Sequence, residues 1–293
     1  MKVFVTGATG FVGTAVVRDL LEAGHEVVGL ARSGKGEEAL KAAGAEVLRG
    51  SLEDLDSLRR GAEQSDGVIH LAYIHDFSDR EASEKADRQA TEAIGEALKG
   101  TGKPFVLTSG MLMMRQDVVN TENDLAVGTG RYAEVAVDTL AEKGIRSSVV
   151  RLSPTVHGEH DYGFVRALVR IAQQKGFSAY TGDGSNHWPA VHRSDAARLF
   201  RLAVESAPSG SRLHGVAEEG IPFLSIAEAI GRHLNLPVRS IPADQAASHF
   251  GWLNFAASAN CQASSAQTQQ LLNWHPEHPD LLSDLEAGYY FTD

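Results

Sequence analysis

Thr6-Gly7-Ala8-Thr9-Gly10-Phe11-Val12-Gly13 is the stretch that decides the architecture of this 293-residue chain. Ahead of it, Lys2 to Thr6 (KVFVT) is a short, apolar, β-branched run suited to a buried parallel strand. Behind it, Val12, Val16, Val17, Leu20 and Leu21 recur at helical spacing, and Gly24 stands where a glycine C-cap ends a helix. A second strand, Glu26 to Ala31 (EVVGLA), follows. Glycines at this spacing between a strand and an amphipathic helix have a physical reading. Gly7 permits the tight turn, Gly10 lets backbone approach a pyrophosphate, and Gly13 lets the helix pack closely on the strand. The N–H groups and positive end of the helix then hold the phosphates. A dinucleotide site built on Gly7, Thr9, Gly10, Phe11, Val12 and Gly13 is expected.

The end of the second strand bears on which dinucleotide. A site for NAD usually carries Asp or Glu about 20 residues beyond the glycines, bonding the adenosine ribose hydroxyls. Here that place holds Arg32, followed by Ser33, Gly34 and Lys35. A carboxylate repels a 2′-phosphate, whereas a guanidinium clamps it in charge-assisted bonds. NADP(H) is therefore expected over NAD(H), with Arg32 and Ser33 at the phosphate.

Bulk composition narrows the class. Net charge is −11, from 38 acidic and 27 basic residues, without a dense Lys/Arg run. That argues against a nucleic-acid footprint or a polybasic membrane surface. The single cysteine, Cys261, excludes an internal disulfide and a multi-thiolate metal site. No apolar run approaches the roughly 20 residues of a spanning helix. The first strand begins at residue 2, leaving no room for a signal or transit peptide, so a cytoplasmic protein is expected.

Strand and helix patterns alternate through the first half. Strands are expected at Glu46 to Arg49, Gly67 to Ala72, Pro104 to Ser109 and Arg146 to Leu152. Helices are expected at Glu37 to Ala43, from Leu52, at Arg80 to Lys99 and at Arg131 to Glu142. Such alternation with right-handed crossovers gives an α/β fold with a doubly wound parallel sheet, the Rossmann fold. Residues 1–156 read as the dinucleotide-binding part, with returns near 190–216. Residues 157–293 read as a smaller substrate lobe, interleaved with the core, over the carboxyl ends of the strands, where ligands bind. Beyond the glycine turn, those ends offer Ser51, Leu52, Leu71, Ala72, Tyr73, Thr108, Pro154, Thr155 and Val156 to the cofactor.

The chain resembles the short-chain dehydrogenase/reductase superfamily, in its extended type with a C-terminal substrate lobe. The resemblance is carried by TGxxGxxG (Thr6 to Gly13), VIHLA (Val68 to Ala72), TSG (Thr108 to Gly110) and RLSPTVHG (Arg151 to Gly158). WPAVHRSDAA (Trp188 to Ala197) and LLNWHPEHPDLLSDL (Leu271 to Leu285) extend it over essentially the whole length. It implies a Ser-Tyr-Lys constellation. Tyr gives a proton to a carbonyl as hydride arrives, Lys lowers its pKa and holds the nicotinamide ribose, and Ser bonds the substrate oxygen.

Ser109 matches the Ser position. Tyr132 is the natural Tyr candidate, but the Lys position four residues on is Ala136, and no YxxxK occurs anywhere. A second ruler uses the Glu that follows the Lys by four residues in extended enzymes. Glu134 stands where that Glu would relative to Arg151, which puts the Lys position at Gly130 and the Tyr position at Ala126. On this count both catalytic positions are empty. The chain thus resembles the atypical branch lacking the motif. Arg131 could supply the positive charge near the ribose. The segment Tyr73-Ile74-His75-Asp76-Phe77 offers His75 or Tyr73 as another proton donor.

His157, His160, Asp161, His187 and His192 lack metal-ligand spacing, and no metal is expected. His157, His187 and Trp188 are expected to line a substrate pocket. Two functions stay open. One is an NADP(H)-dependent reductase of a small carbonyl or imine with a non-standard proton donor. The other is a catalytically silent NADP(H)-binding redox sensor or regulator. A nucleotide-sugar substrate is a third, disfavoured by the absence of an Arg-rich segment in the lobe. The partner expected is a small-molecule substrate, with the protein a monomer or homodimer.

Overall fold

The computed structural model describes residues 1–75, 79–127 and 132–292. Seven parallel strands form the main sheet: β1 (Lys2–Thr6), β2 (Glu26–Ala31), β3 (Glu46–Arg49), β4 (Gly67–His70), β5 (Pro104–Gly110), β6 (Arg146–Leu152) and β7 (Ser211–Gly215). Their spatial order is β3-β2-β1-β4-β5-β6-β7. The winding reverses between β1 and β4, the place where open α/β sheets open a crevice for ligands. Val3, Phe4, Val5, Ile69, Phe105 and Val106 are all fully buried, because helices cover both faces.

One face carries the helices Phe11–Glu22 and Arg193–Ser206, which bring Val16, Val17, Leu20, Leu199 and Phe200 onto Val5, Ile69 and Val150. The opposite face carries Leu55–Glu63, Arg80–Leu98 and Ala133–Glu142, which bring Leu58, Ile94 and Leu140 onto Phe4, Val68 and Phe105. The sheet is doubly wound, as expected from the alternation. No helix among the described residues is long and apolar enough to cross a membrane.

The C-terminal part has its own apolar cluster, with Val165, Leu168, Trp188, Phe223, Ile226, Phe250 and Leu285 buried together. A small sheet organises it: Thr155–His157 runs parallel to His187–His192, which pairs antiparallel with Glu218–Pro222. The chain enters this lobe after β6, returns to the core through the Arg193–Ser206 helix and β7, and then leaves again. Core and lobe are therefore threaded through one another.

Candidate functional site

The glycine turn is pressed between two neighbours. Gly7 has φ 69°, and its carbonyl accepts the Gly10 N–H at 2.9 Å. A Cβ on Gly7 would lie 2.7 Å from the Ala72 nitrogen; one on Gly13 would overlap the Gly7 carbonyl oxygen and lie 2.8 Å from its carbon. Glycine is needed at both positions for the helix, turn and β4 end to meet. Leu71 and Ala72 are clasped to Thr6, through its carbonyl and its Oγ1, at 3.3 Å each. The Thr6 hydroxyl also meets His70 Nδ1 at 2.7 Å, and Thr108 Oγ1 donates to the His70 carbonyl at 2.8 Å.

The Phe11–Glu22 helix that starts here has no side-chain cap and no acidic residue in its first turn. Its first N–H groups, at the positive end of the helix dipole, suit an anion. Beside it, Arg32 is exposed immediately after β2, and Ser33 caps the Gly34–Ala42 helix by accepting the Gly36 N–H at 3.3 Å. A Cβ on Gly36 would lie 3.2 Å from Thr9 Cγ2, so this second helix start abuts the glycine turn. After β3, Ser51 accepts the Glu53 N–H and Leu52 is buried.

Ser109, the last residue but one of β5, is buried, and its hydroxyl has no hydrogen-bond partner among the described residues. Thr155, which follows Pro154 and precedes Val156 beyond β6, is likewise buried with an unpartnered hydroxyl. Buried hydroxyls are nearly always bonded, so these two orphans, one near the carboxyl end of β5 and one at the start of the lobe strand that follows β6, stand out. Beyond β4, the Tyr73 and His75 rings meet edge to face at 5.2 Å, with Tyr73 half-buried and His75 exposed.

Tyr132 is placed differently from the reading that made it the proton donor. Its hydroxyl donates to Glu92 at 3.0 Å, on the Arg80–Leu98 helix, with the Arg88 guanidinium 5.3 Å from the ring centre. Burial and the Glu92 carboxylate raise its pKa, which works against proton release. No hydrogen bond joins Tyr132 to Ser109. The Glu used by the second ruler has a definite place. Glu134, 17 residues before Arg151, grips it through Nε and Nη2 at 3.0 and 2.8 Å, and the guanidinium is completely buried. Arg151 also meets His214 Nε2 at 3.1 Å. Arg131, Gly130, Asp76 and Phe77 lie outside the described residues.

The lobe departs from expectation as well. Trp188 is fully buried, donating to the Ala256 carbonyl at 2.8 Å, so it belongs to the lobe's core. His157 is buried too, bonded to Asp284 at 2.6 Å, and His187 is bonded to Asn260. Trp188 and His157 are thus closed off from any open wall, while His187 is half-buried. An aromatic surface exists instead at Trp252 and Phe255, about half exposed, whose rings stand 5.9 and 6.0 Å from that of Phe164. Phe164 and Leu112, three residues beyond Ser109, both pack on the lobe cluster. Nothing in the local pattern of Gly251-Trp252-Leu253 distinguishes a wall residue from a core residue such as Trp188.

Sequence reading also missed Tyr162, and weighed Asp161 only as a metal ligand. Asp161 is pushed up to about 6 by burial, and it accepts the Tyr290 hydroxyl at 3.0 Å and the Gly163 N–H at 2.6 Å. Tyr162, next to it, reaches the glycine turn.

These features agree with comparisons to known proteins. The family model described as the NAD dependent epimerase/dehydratase family matches residues 3–214. An uncharacterized protein of Schizosaccharomyces pombe is 48% identical over 295 residues, covering 99% of this chain and 100% of its own. One from Saccharomyces cerevisiae is 46% identical over 295 residues, covering 99% of each. Among solved structures, a dTDP-glucose 4,6-dehydratase of Streptomyces venezuelae with NAD bound superposes with a TM-score of 0.78 at 18% identity, covering 99% of this chain and 97% of that one. With its glycine turn, seven-stranded parallel sheet and interleaved lobe, the chain belongs to the NAD dependent epimerase/dehydratase family, within the extended short-chain dehydrogenases/reductases.

Proposed function

We propose that the protein is an NADP(H)-dependent oxidoreductase that reduces a small carbonyl or imine without the usual Tyr-Lys pair. The observation carrying this reading is the glycine turn closed against Ala72 beneath an uncapped helix start, with Arg32 beside it. Bound nicotinamide supplies the hydride. The chain's own residues do the rest: helix N–H groups and glycine backbone take the pyrophosphate, and Arg32 with Ser33 takes the 2′-phosphate. Leu71, Ala72, Pro154, Thr155 and Val156 shape the nicotinamide end, and the unpartnered Ser109 hydroxyl, buried in this structure, becomes the donor to the substrate oxygen once the site opens to substrate. With Tyr132 held by Glu92, the proton falls to Tyr73 or His75 beyond β4.

Arg32 gives the first test. The protein should bind NADPH at least about tenfold more tightly than NADH, the value of one or two charge-assisted bonds. Arg32→Asp should erase that preference in a fluorescence titration; equal affinity in the unaltered protein would overturn it. Turnover is tested by following NADPH oxidation across small aldehydes, ketones and imines. Ser109→Ala should slow any active pair by about 10²–10³, as loss of one preorganised donor does.

The engagement of Tyr132 by Glu92 favours a second reading, a redox sensor that binds NADP(H) without turnover. Tight NADPH binding with no oxidation by any carbonyl or imine would put it first.

A further inference from the structure

The segment between Gly158 and Gly163 leaves the Thr155–His157 strand of the lobe and crosses to the glycine turn. It is held at several points. Tyr290 Oη accepts the Gly158 N–H at 3.2 Å and donates to Asp161, whose other oxygen accepts the Gly163 N–H. Arg193 Nη1 donates to the Glu159 carbonyl at 2.8 Å. Gly158, at φ 139°, lies so close that a Cβ would come within 2.9 Å of the Arg193 methylenes.

From this braced strap Tyr162 projects with 67% of its surface exposed, yet its hydroxyl has a partner. It accepts the Phe11 N–H at 3.2 Å, and its ring meets the Phe11 ring edge to face at 6.0 Å. The Arg193 guanidinium lies 5.0 Å from the centre of the same Phe11 ring. Phe11 is the first residue of the uncapped helix, and its N–H is among the donors that a phosphate at this helix start would use.

From this geometry we infer that Tyr162 is a cofactor-site residue supplied by the lobe, occupying the acceptor place that a dinucleotide pyrophosphate takes. The inference rests on the dinucleotide reading above. One N–H serves one acceptor well, so phosphate and tyrosyl hydroxyl exclude each other at Phe11. Pyrophosphate entry requires the tyrosine to let go, while Asp161, Tyr290 and Arg193 keep the rest of the strap in place. The hydroxyl thus raises the dissociation constant of any ligand carrying the pyrophosphate. It leaves untouched a ligand that reaches only the Arg32 end.

Tyr162→Phe keeps the ring against Phe11 and removes only the competing oxygen. Both proteins would be titrated with NADPH and with adenosine 2′-monophosphate, which lacks the pyrophosphate. The variant is expected to bind NADPH about three- to tenfold more tightly, the worth of one neutral hydrogen bond, and the monophosphate with unchanged affinity. Equal or weaker NADPH binding by the variant overturns the inference, as does equal tightening for the monophosphate. Failure of both folded proteins to bind NADPH is a different result: it overturns the dinucleotide reading and the inference with it.

Discussion

Replacing Gly13 with alanine should cut NADPH affinity by about a hundredfold or more and destabilise the fold by about 2–3 kcal/mol. The added methyl would meet backbone: the Gly7 carbonyl, with its carbon at 2.8 Å, and Ala8 Cα at 3.0 Å. Backbone cannot change rotamer, so the helix or the turn must shift. The turn has nowhere to retreat, because Gly7 is itself pressed against the Leu71–Ala72 peptide. The helix must therefore lift, carrying away the N–H groups meant for the phosphates. Gly24→Ala is the control. That glycine has φ 83° and nothing within 4 Å, so its replacement should cost about 1 kcal/mol from the left-handed backbone alone. Urea denaturation and NADPH titration separate the two. A Gly13→Ala protein binding NADPH within threefold of the original would mean that the turn does not carry the cofactor.

The second large effect concerns Glu134. Glu134→Ala should destabilise the protein by about 3–5 kcal/mol, because it strands a fully buried guanidinium without its counter-charge. His214 cannot compensate: an imidazole supplies no negative charge to Arg151, and burial lowers its pKa. The combined Glu134→Leu, Arg151→Met protein should recover much of the loss, since removing both ions removes their desolvation cost. Urea denaturation gives the ranking. A single variant within about 1 kcal/mol of the original would show that the pair is wet.

The parts of this protein legible in its sequence are those governed by short-range rules. The strand–turn–helix at Lys2–Glu22 was readable because each glycine answers a local steric demand, and the alternation because apolar runs flag buried strands. The Glu134–Arg151 pair joins two regular elements, the Ala133–Glu142 helix and β6, where residue count converts to distance; the sequence offers their separation but not their contact. Tyr132 is harder to place for the opposite reason: after β5, residues 111–127 hold only a 3₁₀ turn at Met111–Met113 and a two-residue strand at Val119–Asn120, so spacing from Ser109 carries little geometry. The lobe was least legible. Trp188 and Trp252 look alike in sequence, yet one lies on a strand facing the lobe core and the other follows Gly251 onto the surface. Tyr162 meets Phe11 across 151 positions of sequence, and no local pattern encodes such a meeting.

The threading of core through lobe bears on how the chain comes into being. A nascent chain that has released only its first 156 residues holds six of the seven sheet strands, but not the Arg193–Ser206 helix or β7. Val5, Ile69 and Val150 then lack the cover of Leu199 and Phe200, and the outer edge of β6 stands open to any strand that passes. The nucleotide-binding half cannot ripen first and wait. It must hold a greasy, unfinished face until about 60 further residues have been synthesised, the interval in which chaperone capture or mispairing competes with folding.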